Sequence, residues 1–236
     1  MVLGLTAAGC GSVPFTVSAT RYRAPAPEQR TYRIVNETKV HKDGDPSFSH
    51  LTTYVRTGLA EHGLHEPASG HPADLIISVG FEQDAPRIAI RTETQNVFEW
   101  QPEQTVLKTK QTKLDDGVVL TEKVPTRVAA HSESVGQRTI VYRVKVFPKR
   151  LRIVCNDQAS LAEDSDTPPL WSVEVRNEDQ IGDLDGFLPL MVAAAMQYAG
   201  ENSAGEKIVT VSRHDQRAKL LLRQSVTAER AVAQPR

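Results

Sequence analysis

Residues 138–156 read RTIVYRVKVFPKRLRIVCN, and the fold turns on how this run is parsed. Ile140, Tyr142, Val144 and Val146 hold even positions, whereas Leu151, Ile153 and Cys155 hold odd ones. Apolar residues at every second place mark a half-buried strand, because successive side chains of a strand point to opposite faces. A period of two cannot change parity inside a regular strand. The spacing therefore predicts a bulge or a turn near Pro148.

The flanking sequence repeats the strand signal. Ala73 to Gln83 alternates with Leu75, Ile77, Val79 and Phe81 on one face, and Ile88 and Ile90 continue it beyond Asp84-Ala85-Pro86, which predicts a hairpin. Trp171, Val173 and Val175 give a further strand, Lys207–Ser212 a last one, and Arg30–Glu37 a first. Between Phe98 and Gly136 the pattern weakens. Asp116-Gly117 there favours a tight turn, and Lys108, Lys110, Lys113 and Lys123 mark an exposed edge guarded by charge.

Two helices are expected. Asp45-Pro46 reads as an N-cap with proline at the first helical position, and Phe48, Leu51, Val55, Leu59 and His62 form a buried stripe stopped by Gly63, behind which Leu64 packs back. Asp185 caps the second, with Pro189 in its first turn, Phe187, Met191, Ala194, Ala195 and Tyr198 on one side and Gly200 at its end. The expected fold class is α+β, a mostly antiparallel sheet with two helices packed on one face. The expected organisation is a truncated lipoprotein signal peptide at 1–10, a flexible tether at 11–29, a single α+β domain at 30–213 and a polar C-terminal tail at 214–236.

Composition narrows the function classes. With 39% apolar and 24% charged residues in 236, the chain has material for a core without disulfides or metal. The net charge is −1 and the basic residues are dispersed, so nucleic acid is not an expected partner. No stretch supplies the roughly 20 apolar residues of a membrane-spanning helix.

Residues 1–10 read MVLGLTAAGC, a short apolar run with Ala7, Ala8 and Gly9 directly before Cys10. This resembles the lipobox of bacterial lipoprotein precursors, which implies cleavage after Gly9 and lipidation of Cys10. Ala7 stands where that pattern prefers leucine, and the basic n-region is missing, so a basic stretch upstream of Met1 is the expected repair. Gly11, in place of an aspartate, points to the outer membrane. The lipid anchor is the expected membrane attachment.

The order of parts extends the likeness: lipobox, strand, helix after Asp45-Pro46, Ala73-Asp74-Leu75-Ile76-Ile77, Val141-Tyr142 leading to Leu151-Arg152-Ile153, Leu170-Trp171-Ser172-Val173, and Leu188-Pro189 to Gly200. That order resembles the DUF4136 family of bacterial lipoproteins. The resemblance covers much of Thr31 to Val211, with a longer middle section at Phe98–Arg138. It implies an envelope location facing the periplasm and an unassigned ligand or protein partner, and it supplies no catalytic residues.

Chemistry-bearing residues are few. His62, His65 and His71 with Asp74 make the best metal constellation, but His62 lies on the helix stripe and the others flank a Pro/Gly loop, so no metal site is expected. Glu163, Asp164 and Asp166 lack the central glycine of a calcium loop. Cys155, in phase with Leu151 and Ile153, reads as a small buried residue. Trp171, Phe187, Met191, Met196 and Tyr198 read as core, or alternatively as a groove for a lipid or peptide. No Gly-x-Ser-x-Gly elbow, phosphate loop or dinucleotide fingerprint occurs, and no cofactor is expected. The expected function is a non-enzymatic envelope lipoprotein that binds an envelope protein, glycan or lipid. The alternatives are an accessory subunit of a transport or assembly complex using an open sheet edge, and a hydrolase whose site assembles only in three dimensions.

Overall fold

The parity change at Pro148 is there, but neither the expected bulge nor the expected turn accompanies it. The computed structural model describes residues 12–26, 29–38, 45–113, 119–159, 167–216 and 218–221. In it one strand, β7, runs from His131 to Asp157, and its register against the following strand is unbroken from Phe147 to Cys155. Val146 is buried on one face and Leu151, Ile153 and Cys155 on the other. The switch follows from a change of neighbours. The first part of β7 pairs with β4 (Arg87–Gln101), whereas the second lies between β3 (Leu75–Gln83) and β8 (Trp171–Asp179).

The remaining elements are β1 (Ser12–Arg21), β2 (Tyr32–Asn36), α1 (Pro46–Glu61), β5 (Gln104–Lys113), β6 (Val119–Val128), α2 (Leu188–Met196) and β9 (Glu206–Ser212). The large sheet has the order β2-β3-β7-β8-β1-β9, with β4 on β7; β5 and β6 form a separate two-stranded sheet. β2 and β3 run parallel, Tyr32 opposite Leu75, and the helix α1 connects them. Parallel neighbours require such a crossover, because a tight turn cannot reverse the chain twice.

This overturns the expected α+β class with a mostly antiparallel sheet and two helices on one face. Of the described residues 55% lie in strands and 17% in helices, so the chain is mostly β, and the sheet is mixed because β2 and β3 run parallel. The imbalance comes from residues 98–136, where weak periodicity concealed long strands. The expected hairpin of β3 with β4 is replaced by β4 pairing with β7, and Ile88 and Ile90 are 65% and 69% exposed. Residues 12–21, expected as part of a tether, form β1, flanked by β8 and β9 and alternating buried with half-buried side chains. Asp185 does not cap α2; Phe187 occupies that position without a side-chain cap.

The core is one cluster. Phe15, Val17 and Ala19 of β1, Leu75, Ile77, Val79 and Phe81 of β3, Leu151, Ile153 and Cys155 of β7, and Trp171, Val173 and Val175 of β8 join the stripe of α1 and residues of α2. Burying each large aliphatic contributes roughly 1.5–3 kcal/mol. α1 starts as its sequence dictates, with Pro46 in the first turn and an Asp45 carboxylate oxygen accepting from the Ser47 amide at 2.9 Å. It ends at Gly63, whose φ of 76° few side-chain-bearing residues tolerate, and the Leu64 amide then donates to the Leu59 carbonyl at 3.1 Å.

The chain divides into two compact units. One is Ile90–Arg143; the other comprises the described residues of Thr6–Ala89 and Val144–Arg236 and holds the whole core.

Candidate functional site

The histidines of the expected metal constellation go separate ways. The His62 ring Nε2 lies 2.9 Å from the Met196 carbonyl, tying the end of α1 to the end of α2. His65 acts through its backbone, donating to the Arg30 carbonyl and accepting from the Tyr32 amide, each at 3.0 Å. The Asp74 carboxylate is occupied by the Thr31 hydroxyl at 2.6 Å and the amides of Thr31 and Arg30 at 3.0 and 3.2 Å. These bonds, the Thr31 hydroxyl first, hold its pKa below the ordinary carboxylate value. His71 lines a shallow depression of about 350 Å³ with Tyr32, Arg33 and Glu66. Among the described residues no three of His, Cys, Asp and Glu come together in a way that fits a metal ion.

The remaining sequence candidates are placed as follows. Cys155 is fully buried, and burial, then the Asp157 charge, pushes its thiol up to about 12, so it is no nucleophile at neutral pH. Trp171, Phe187, Met191 and Met196 are packed in the core, with Tyr198 half-buried against it. Glu163, Asp164 and Asp166 lie outside the described residues, as does Cys10.

Sequence reasoning missed a buried lysine. Lys149 is only 2% exposed; its Nζ donates to the Ile181 carbonyl at 2.5 Å and sits 4.2 Å from the centre of the Phe187 ring. Burial lowers its pKa, opposed by the nearby charges of Asp179 and Asp183. The signal was there, since Lys149 is odd like Leu151 and so shares the core face. This side chain staples the segment before α2 to the sheet, and its donors are engaged by backbone carbonyls.

On the opposite face of the sheet, arginines meet carboxylates. Arg152 pairs with Glu37 at 2.8 Å, Arg150 with Glu82, and Arg176 with Glu174 and, at 3.5 Å, Glu206. Glu37, Glu82, Arg150 and Arg152 border a depression of about 290 Å³. Because these arginines are already matched with carboxylates, the face makes no anion site, and such exposed pairs each contribute about 0–1 kcal/mol.

The Ile90–Arg143 unit is different. Not one of its described residues is buried. It nonetheless carries Ile90, Phe98, Trp100, Leu107 and Val141, each between 62% and 69% exposed. It consists of the β5–β6 hairpin, in register from Gln104 opposite Val128 to Lys113 opposite Val119, and the pairing of β4 with β7. The side-chain amide of Gln137 donates to the Asn96 carbonyl oxygen at 3.0 Å, which puts these two residues on one face. By parity Ile90, Phe98 and Trp100 of β4 and Val135 and Val141 of β7 share that face. Two-stranded ribbons without a core are marginally stable alone, and clustered exposed aromatics on one mark a surface made to be covered.

No protein-family model matches the chain, and no curated protein matches it. Among solved structures it is similar to a PDZ domain protein from Parabacteroides distasonis, at 15% identity and a TM-score of 0.36, over 86% of this chain and 40% of that one. It is also similar to the PelC dodecamer from Paraburkholderia phytofirmans, at 12% identity and a TM-score of 0.35, over 77% of this chain and 94% of that one. The chain thus spans less than half the length of the first. Likenesses this weak fix no fold.

Proposed function

We propose that the chain is a non-enzymatic, lipid-anchored envelope protein whose Ile90–Arg143 ribbon docks onto another polypeptide. One observation carries this reading: the unit buries none of its described residues, yet presents Phe98 and Trp100 at 62% and 65% exposure on one strand. A partner covering these side chains removes apolar area from water at about 25 cal/mol per Å², and aromatic anchors dominate interface energetics. The anchor part of the reading rests on the lipobox-like 1–10. With β1 beginning at Ser12, Gly11 alone separates an acylated Cys10 from a strand of the sheet, so the lipid holds the folded unit close to the bilayer.

The test places a photo-crosslinking amino acid at Phe98 in the full-length gene and irradiates intact envelopes. Discrete protein adducts, lost when Trp100 is also changed to Ser, are expected; adducts to lipid alone, or none, overturn the docking reading. In parallel, the mass of the mature protein should include acyl chains that Cys10→Ala removes together with outer-membrane partitioning. An unmodified, freely soluble product in both cases overturns the anchor.

A further inference from the structure

We infer that the end of the large sheet where β1 begins lies on the bilayer surface, with Ile181 and Arg213 in contact with the lipid headgroups. The inference rests on the lipid anchor proposed above and names the surface that the anchor holds down.

The covalent chain sets the distance. Consecutive Cα atoms are about 3.8 Å apart, so with Gly11 alone between them Cys10 stays within roughly 8 Å of Ser12 in any conformation of the link. The headgroup layer on each side of a bilayer is itself roughly 5–8 Å thick. A strand tied this closely to acyl chains in the hydrocarbon has no length with which to stand off from the membrane.

Strand register decides what else stands at that end. Ser12 lies opposite Ser212, the last residue of β9, and the exposed Arg213 follows. On its other side β1 pairs with β8 in antiparallel register, Thr16 opposite Arg176, and the Asn177 side-chain amide holds the Pro14 carbonyl at 3.0 Å. Continuing that register brings Gln180 level with Ser12 and Ile181 just beyond it. The other end of β1, at Arg21, is nine residues away, or about 30 Å along the strand, so Tyr22 lies far from the membrane.

Ile181 is held as a fixed apolar tip. Its side chain is 49% exposed, yet both of its backbone groups are engaged. The Asp179 carboxylate accepts from its amide at 2.9 Å, and the buried Lys149 ammonium donates to its carbonyl at 2.5 Å. At Gly182, the next residue, a methyl group would lie 3.1 Å from the Phe147 ring, so the loop is pressed onto the sheet. Loop tips that meet only water are ordinarily polar, whereas an aliphatic tip beside an acylated residue fits the apolar side of the headgroup layer. Arg213 supplies the guanidinium that matches a lipid phosphate with paired hydrogen bonds. The carboxylates of the same loop are already engaged: Asp183 accepts from the Gly186 amide, and it and Asp179 both act on the Lys149 ammonium.

The test uses the mature protein purified from envelopes, reconstituted in vesicles of phosphatidylethanolamine and phosphatidylglycerol. Three single substitutions, Ile181→Cys, Arg213→Cys and Tyr22→Cys, each carry an environment-sensitive fluorophore on the new thiol, Cys155 being buried. Acyl chains on Cys10 are verified by mass and membrane attachment by flotation. The labels at 181 and 213 should shift to the blue and lose at least half their emission when the lipids are brominated, while the label at 22 changes by less than a tenth. Acylated, floating protein in which the label at 22 is quenched as strongly as the other two, or in which none is quenched, overturns this surface and leaves the anchor standing. Protein that carries no acyl chains and does not float overturns the anchor and this surface with it.

Discussion

Cys155 and Lys149 sit on the same face of β7, and the core treats their ionisable groups in opposite ways. Burial raises the Cys155 thiol to about 12, so between its ordinary value of 9.0 and about 12 the folded chain holds a proton that the unfolded chain gives up. Its contribution to stability is complete below pH 9 and is lost as pH rises through that window. A thiol reagent at pH 8 should therefore leave the native protein unmodified and react once with it in denaturant, in a Cys10→Ser background; fast native labelling would show an accessible sulfur. Burial lowers the Lys149 ammonium instead, so below its ordinary 10.5 the unfolded chain binds a proton more readily than the folded one. Stability from this group rises with pH as the alkaline range approaches 10.5, opposing the cysteine. Urea midpoints at pH 8, 9 and 10 should thus climb less, or fall more steeply, in Lys149→Met than in the unchanged chain. An identical pH dependence would mean that the ammonium is solvated.

At the scale of elements, α1 and α2 meet where Gly58 leaves room for Met196. A methyl group built on Gly58 would lie 2.4 Å from the Met196 Cγ, closer than any real contact. Gly58→Ala gains up to about 1 kcal/mol of helix propensity but overpacks the crossing by about 1–3 kcal/mol, so a net loss near 1 kcal/mol is expected. Met196→Ala in the same chain should recover part of the overpacking, and a thermal-unfolding double-mutant cycle reads the coupling directly. Additive effects would show that the helices do not touch there. The same pair shows what was legible in the sequence. The α1 stripe from Phe48 to Leu59, its Asp45-Pro46 start and its Gly63 stop were readable because one face is buried and the caps are local, whereas His62, read as the last member of the stripe, is the exposed C-cap. β3, β8 and the odd half of β7 were readable for the same reason, alternate residues being core. β1 was not: Ser12, Pro14, Thr16, Ser18 and Thr20 gave the segment a tether's composition, while Val13, Phe15, Val17 and Ala19 between them carried the strand. β5, β6 and β4 beyond Ile90 were obscure because neither of their faces is buried, and a period needs a core to write it. Of the candidate site, the exposed edge marked by Lys108, Lys110, Lys113 and Lys123 was seen, but its aromatic face was not, since Phe98 and Trp100 lie in a stretch with no alternation to flag them.

For the whole molecule, the division into two units has a thermodynamic consequence. Every residue of the core cluster lies outside Ile90–Arg143, so the ribbon takes nothing from the core when it leaves. Replacing 90–143 by a short Gly/Asn linker between Ala89 and Val144 shortens a connection whose closure entropy depends only weakly on length. The trimmed chain should unfold in a single transition, with a change of stability within about 1 kcal/mol of the parent, or roughly 2–4 °C in Tm for a protein of this size. The near-ultraviolet signal of the buried Trp171 is the probe, because it reports packing of the core and Trp100 departs with the ribbon. Loss of that signal, or a broad uncooperative melt, would mean that the ribbon supports the core by contacts of its own. A sharp transition at nearly the parental Tm would separate the two units: one supplies the stability, and the other leaves its apolar surface exposed at no cost to the core.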